Sequence, residues 1–411
     1  MSTTPGPAAT HTHNPTPKPV NEPTRRVPVL WLALLATPVA AANNAAVLIL
    51  GDMSRSLNIP KATASWLVTV FALSLAVATP LIATLVRRRG TRTALWTSAA
   101  FVAVGSLVVA ISPWLPLTLV GRAGQAAGGA GMMAIAMNLA GNARRMGVIS
   151  AGSGILGGVG PLLGERLTNA VSWRAALSIL LVTLLAVPAV SRYSTKSPPA
   201  EGRFDARGAV LLALLSSGLV LLPSNPLPAL AVAAVTAALL ALHIRRRPDG
   251  YVPRAALRSR LFRSSVLIAV VLSVLYFTLL FGIPQLITDR AGWPTSSVAV
   301  GQMIAMIAGS VLTLAFAGVS ARLGQTKVRA LLITVGALAA VAAVFAHSAV
   351  VLFVTIGLAV FTATSANATQ SMAAAFAVPD RQRPTGIGLF QLAYLMGGAL
   401  GPALATTLVL P

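Results

Sequence analysis

Arg122 and Gln125 are the residues best placed to do chemistry in this chain, one helical turn apart in the apolar stretch Leu115–Met137. An arginine inside such a stretch costs at least about 2.5–3.5 kcal/mol on insertion scales, so it marks a bundle interior or a wet cavity on an ion or substrate path. The alternative is an arginine that snorkels to the outer headgroups. Gly121, Gly124, Gly128 and Gly129 thin the same stretch and allow close packing around it.

A second cluster is Gly152, Gly154, Gly157, Gly158, Gly160, Pro161 and Gly164, all in one apolar segment. The glycines admit a neighbouring helix, and Pro161 frees a carbonyl and bends the segment. This is either a hinge or seal between bundles, or ordinary tight packing. Glu165 follows beside Arg166 and is either a proton site or half of a surface ion pair. Uncharged polar groups form a third set: Asn43 and Asn44 in the first apolar segment, Tyr276 and Thr278 in the ninth, Asn367 and Gln370 in the crowded twelfth. They line a cavity or bond neighbouring helices.

Other chemistries are not encoded. The chain has eight acidic residues, and none falls in the middle of an apolar segment: Asp52, Glu165 and Asp289 lie at or near outer ends, the others in cytoplasmic stretches. Proton coupling usually uses an embedded acid, so this is a gap in any proton-exchange scheme. There is no His/Asp/Ser grouping, no metal ladder and no phosphate-cradling loop, so neither an enzyme nor a cofactor is expected. Cysteine is absent, and His11 and His13 are too weak a pair for a metal site.

Helices must position these residues. Hydrophobic residues are 56% and charged residues 9%, against about 25% charged in soluble domains. Segments long enough to cross a bilayer recur along the whole chain: Val29–Leu50, Ala64–Val86, Ala94–Ile111, Leu115–Met137, Gly147–Gly164, Ser172–Val190, Gly208–Leu222, Leu227–His243, Ser265–Ile287, Ser297–Ala317, Val328–Ala346, Val350–Ala375 and Gly386–Leu410. The expected fold class is an all-α integral membrane protein with about thirteen transmembrane helices.

The net charge of +23 does not point to nucleic acid. If the N-terminus is inside and each span changes sides, 25 of the 31 basic residues fall inside and five outside, with Arg122 within a span. That bias orients membrane proteins. The expected organisation is a disordered cytoplasmic tail at 1–27, a six-helix bundle at 28–191, a linker at 192–207, an inserted hairpin at 208–244, a basic linker at 245–263 and a second bundle at 264–411. A repeat supports the two bundles: Gly157-Gly158-Val159-Gly160-Pro161 matches Gly397-Gly398-Ala399-Leu400-Gly401-Pro402. A further span follows the first copy and none follows the second, so the second bundle is expected to hold five helices, its sixth absent. The basic loops at Arg87–Arg92 and Ala321–Gln325 also match.

These residues together resemble the major facilitator superfamily, in its drug:proton antiporter branch with about fourteen spans. Leu117–Gly129, with Arg122 and Gln125, is similar to the family's fourth-span motif, whose arginine the resemblance implies in proton transfer. Gly152–Gly164, with Gly160-Pro161, resembles the fifth-span antiporter motif of exporters. Ser172-Trp173-Arg174, which opens the sixth span, also fits the family, and Arg203-Phe204-Asp205-Ala206-Arg207-Gly208 before the hairpin points to the fourteen-span branch rather than the twelve-span one. There are departures. Arg87 stands three residues before Gly90 where the family usually carries an aspartate, which implies an altered conformational switch at Arg87, Gly90 and Arg92. Asn43 and Asn44 occupy a neighbourhood that often holds an acid, and Glu165 replaces a glycine.

The resemblance implies a two-bundle exporter of amphipathic small molecules, drugs or antibiotics, driven by proton exchange. It would be a multi-pass monomer in the cell (inner or plasma) membrane, N-terminus cytoplasmic, with lipid, substrate and protons as partners and no nucleic acid. The departures leave a second reading, a degenerate member that no longer pumps and serves as a sensor or subunit.

Overall fold

The computed structural model describes residues 27–46, 49–64, 66–194, 205–222, 226–248 and 250–409. The expected tail up to residue 26, most of the first linker and the hairpin turn Pro223-Ser224-Asn225 lie outside them. The described chain is helical, with no strand. In order come α1 (Val29–Ala36), α2 (Pro38–Asn44), α3 (Leu50–Leu57), α4 (Lys61–Ala64), α5 (Trp66–Ile111), α6 (Leu115–Ala140), α7 (Ala143–Ala170), α8 (Trp173–Leu177) and α9 (Val187–Tyr193). Then follow α10 (Ala206–Leu221), α11 (Pro226–Arg246), α12 (Arg254–Arg258), α13 (Arg260–Ala291), α14 (Thr295–Leu323), α15 (Gln325–Phe345), α16 (Ala349–Phe376) and α17 (Arg383–Val409). Eight helices among the described residues are long and apolar enough to cross a membrane.

Three segments differ from their expected form. The first apolar segment is not one helix over Val29–Leu50. It breaks at Thr37, because Pro38 has no N–H to continue the ladder, and its second part ends at Asn44. The second and third segments join in α5, two helices meeting at Gly90. The sixth is α-helical only at its ends, α8 and α9, with a 3-10 stretch over Ile179–Ala186 between them.

Two bundles pack against each other along two seams, α5 on α17 and α7 on α14, with α16 also touching α7. The seams are related by the repeat. Glycine-bearing α7 lies on α2 in its own bundle, and glycine-bearing α17 lies on α13 in its own. A methyl added at Gly401 would sit 2.8 Å from the Thr278 nitrogen, so backbone meets backbone there. The two matching basic loops turn on glycines of one conformation, Gly90 at φ 82, ψ 164 and Gly324 at φ 75, ψ 157, a region that only glycine enters without strain.

Helices α10 and α11 form a hairpin packed at Gly218, where an added methyl would lie 3.1 Å from the Ala233 nitrogen. α10 touches both α5 and α17, covering one seam. Asp205 caps α10 by accepting from the Gly208 N–H at 3.1 Å, and also accepts from the Tyr251 N–H at 2.8 Å and from His243 at 2.8 Å. One carboxylate therefore fastens both hairpin ends and the following linker. Large apolar side chains such as Leu107, Leu185, Leu227, Val235, Leu338 and Val350 point outward, a surface suited to lipid and costly in water.

Burial alone would raise the Asp205 carboxyl. The hydrogen bonds from Tyr251, His243 and Gly208, with the His243 charge, outweigh it and hold the carboxyl below its ordinary value. A depressed carboxyl stabilises the folded state above its unfolded pKa of about 3.9, and that contribution is lost as pH falls through the folded value. The protection of amides in α10 and α11, relative to their intrinsic exchange rates, should therefore fall on acidification below about pH 4, and Asp205→Asn should remove that pH dependence. For the loops, Gly324→Ala should cost about 1–3 kcal/mol in detergent unfolding, because nothing lies within 4 Å of the added methyl and only backbone strain opposes it. Gly318→Ala, also with nothing within 4 Å and inside α14, should gain about 0.5–1 kcal/mol.

Candidate functional site

The site begins where α5 and α6 meet. A methyl at Gly105 of α5 would sit 2.5 Å from the Gln125 nitrogen, and one at Gly128 of α6 would sit 2.6 Å from the Ser98 oxygen. With the backbones this near, Arg122 and Gln125 are fully buried. Arg122 Nη1 donates to Gln125 Oε1 at 3.0 Å, Nη2 to the Ala42 carbonyl at 3.4 Å and Nε to the Leu67 carbonyl at 3.4 Å. The guanidinium lies 4.1 Å from the centre of the Phe71 ring. Gln125 Nε2 donates onward to Ser106 Oγ at 3.0 Å and to the Leu177 carbonyl at 3.1 Å. This pair binds α2, both halves of α5, α6 and α8. No carboxylate lies within ion-pair distance of Arg122 among the described residues. The arginine does not snorkel; it is a buried cation held by neutral oxygens and a ring face.

The α7 glycines divide between two neighbours. Gly152, Gly160 and Gly164 meet the first apolar segment; an added methyl at Gly160 would lie 2.8 Å from the Ala41 oxygen. Gly147, Gly154 and Gly158 meet α14 at Ala317, Ser310 and Met306, in the other bundle. This face is the interbundle seam.

Pro161 takes the helix donor from the Gly157 carbonyl, and Asn44 Nδ2 supplies a replacement at 2.9 Å. Asn43 Nδ2 steadies Asn44 through its Oδ1 at 2.9 Å. α13 repeats the arrangement. Pro284 deprives the Leu280 carbonyl, and Gln302 Nε2 of α14 donates to it at 3.1 Å. Both pairs line one cavity of about 250 Å³ between the bundles, with Met303 and Met306 in its wall.

The other expected residues lie elsewhere. Among the six expected to line a cavity, Asn44 lines this one. Tyr276 is buried with its ring 4.5 Å from that of Phe277, and the Thr278 hydroxyl is buried with no partner among the described residues. Asn367 accepts from Gln391 Nε2 at 2.7 Å, joining α16 to α17. Gln370 lines a separate cavity of about 150 Å³ beside Gly324 and also accepts from Arg329 Nε at 2.9 Å; Arg329 donates to Ser264 and Ser265 as well, so α13, α15 and α16 are tied together. Glu165 is exposed. Arg87 is half-buried beside Tyr251 of the second linker, Gly90 is the buried kink, and Arg92 is exposed. Gln302, Leu280 and Pro284 were not anticipated. Their one sequence signal is a proline inside an apolar span, which marks an unpaired carbonyl four residues earlier.

The Pro161 account makes a coupling prediction. Asn44→Leu should leave the Gly157 carbonyl unpaired and cost about 1–3 kcal/mol. In a Pro161→Ala background the helix supplies its own donor, so the same substitution should cost clearly less, as a double-mutant cycle of detergent unfolding would record.

The comparisons with known proteins agree with this architecture. The family model described as Major Facilitator Superfamily matches residues 30–402. In Bacillus subtilis (strain 168), "Uncharacterized MFS-type transporter YvkA" is 29% identical over 268 residues, covering 60% of this chain and 59% of that protein. "Uncharacterized MFS-type transporter YfiU" is 31% identical over 176 residues, 40% of this chain and 34% of that one. The matches thus span from about a third to three fifths of these relatives' length. The crystal structure of the human organic anion transporter MFSD10 (TETRAN) superposes with a TM-score of 0.64 at 18% identity, over 94% of this chain and 95% of that one. The proton:xylose symporter XylE bound to 6-bromo-6-deoxy-D-glucose gives 0.59 at 12%, over 92% and 87%. At these identities the structural likeness is one of fold. The family match runs through both bundles and the hairpin between them, and the chain belongs to the major facilitator superfamily.

Proposed function

We propose that this secondary transporter exports amphipathic small molecules, drugs or antibiotics among them, by proton antiport, in the branch with about fourteen spans. The observation that carries the reading is α7, whose Gly160-Pro161 stretch seats on its own bundle's first segment while Gly147, Gly154 and Gly158 seat on α14 of the other bundle. A smooth glycine face lets one bundle slide or rock on the other, and alternating access requires that motion. Arg122 serves as the interior charge whose pairing changes with the proton, with Gln125 as its partner and Glu165 at the outer end of α7. Arg87, Gly90 and Arg92 form the loop that changes with state. The protein acts in the cell membrane with its N-terminus in the cytoplasm.

A specific observation favours a second reading, a degenerate member acting as a sensor or subunit. The acids whose side chains are described lie at the periphery: Asp52 pairs with exposed Arg55, Asp380 with Arg383, Asp205 sits at the hairpin base and Glu165 is exposed. None reaches Arg122.

The test is expression in a bacterial host stripped of its own pumps, with growth inhibition measured across antibiotics and lipophilic dyes at matched membrane levels of protein. The wild type should raise the inhibitory concentration of some compounds. Arg122→Ala should return it to that of the empty host, and so should Arg122→Lys, which keeps the charge but loses the guanidinium's several bonds. No resistance from well-inserted wild type supports the degenerate reading, and full resistance from Arg122→Ala removes that residue from the mechanism.

A further inference from the structure

The cavity between the bundles has a chemistry of its own. Asn44, Gly157 and Pro161 stand on one side, and Gln302, Leu280 and Pro284 on the other. Each side offers a carbonyl freed by proline and one carboxamide that bonds to it. A carbonyl oxygen has two lone pairs and the amide uses one, so each side retains an acceptor, and the Gln302 carbonyl oxygen has no bond among the described residues. The middle of the wall is apolar, with Met303 and Met306 adaptable in shape. Among the described residues no ionisable side chain lines the cavity. A bare ion placed there would have no counter-ion, which burial makes prohibitive.

We infer that this cavity is a substrate subsite for uncharged molecules, apolar in the middle and with hydrogen-bonding groups at the ends, read by the two proline-freed carbonyls and their amides. The inference rests on the transport reading above and narrows it, because lipophilic cations are excluded from this subsite. At about 250 Å³ the space lies just below the usual range of about 300–1,000 Å³ for small-molecule sites, so it takes a compact molecule or one end of a larger one. The ligand would touch α2 and α7 in one bundle and α13 and α14 in the other.

The experiment uses the full chain in lipid nanodiscs, with empty nanodiscs as blank. Nile red serves as the neutral probe and ethidium as the cationic one. Wild type should show saturable Nile red fluorescence that ethidium does not displace. Ala299→Phe places a ring in the cavity wall and should weaken Nile red binding by about tenfold or more, with thermal unfolding and gel filtration unchanged. Gln302→Glu introduces a carboxylate and should make ethidium a competitor. If Ala299→Phe does not fold, Gln302→Glu decides alone. Absence of saturable binding, unchanged binding in folded Ala299→Phe, displacement of Nile red by ethidium from wild type, or no ethidium competition in Gln302→Glu each overturn the subsite. Export in cells separates the two ideas. Binding that responds to the variants without export of any compound sinks the transport reading alone, whereas export with binding indifferent to the variants sinks the subsite alone.

Discussion

Between the faces of a bilayer no water is available, so every amide, carbonyl and charge must find a partner within the protein. That constraint accounts for the all-helical fold and also for its irregular places. At two places where a proline breaks the backbone ladder, a side chain from a neighbouring helix completes it. Asn44 serves the carbonyl that Pro161 frees, Gln302 serves the one that Pro284 frees, and Arg122 draws on carbonyls of Ala42 and Leu67. Each repair crosses from one helix to another, so the defects of single helices become the bonds that position the bundle.

The same economy governs the glycines. Van der Waals contact, not exclusion of water, holds helices together in lipid, so close approach is the main source of affinity between them. At Gly105, Gly128, Gly160 and Gly401 an added methyl would strike backbone, which cannot turn aside as a flexible side chain does. The seams between the bundles are close as well: an added methyl at Gly158 would lie 3.0 Å from Met306 Cβ, and one at Gly388 would lie 3.3 Å from Pro80 Cα.

Much of this was legible in the sequence. Spans could be read because bilayer thickness imposes their length, the two bundles because Gly157–Pro161 recurs at Gly397–Pro402, and Arg122 because a charge in an apolar helix must be interior. The matching loops at Gly90 and Gly324 were legible as glycines beside basic residues, and they share one conformation. Helix rotation was not legible. These helices are apolar all round, so periodicity does not say which face turns inward, and the polar residues of α16 were equally compatible with a cavity wall and with the bonds to Gln391 and Arg329 that they make. The break at Thr37, by contrast, follows from Pro38 and could have been read from the sequence. Gln302 was passed over because a lone glutamine gains meaning only beside the Leu280 carbonyl, which lies on another helix.

The location of the cavity bears on how a bound molecule acts on the protein. A ligand shifts a conformational equilibrium only by its difference in affinity for the two states. A site within one bundle would move as a body with that bundle and contribute little difference. Here the wall is shared, with Asn44, Gly157 and Pro161 in one bundle and Leu280, Pro284 and Gln302 in the other. If the bundles rock along the α7 and α14 seam as proposed, these groups separate or slide, and a molecule bonded at both ends loses one of its bonds in one of the two states. Its binding energy would then favour the other state. Pro161 and Pro284 interrupt the ladders of α7 and α13 beneath the two ends of this wall.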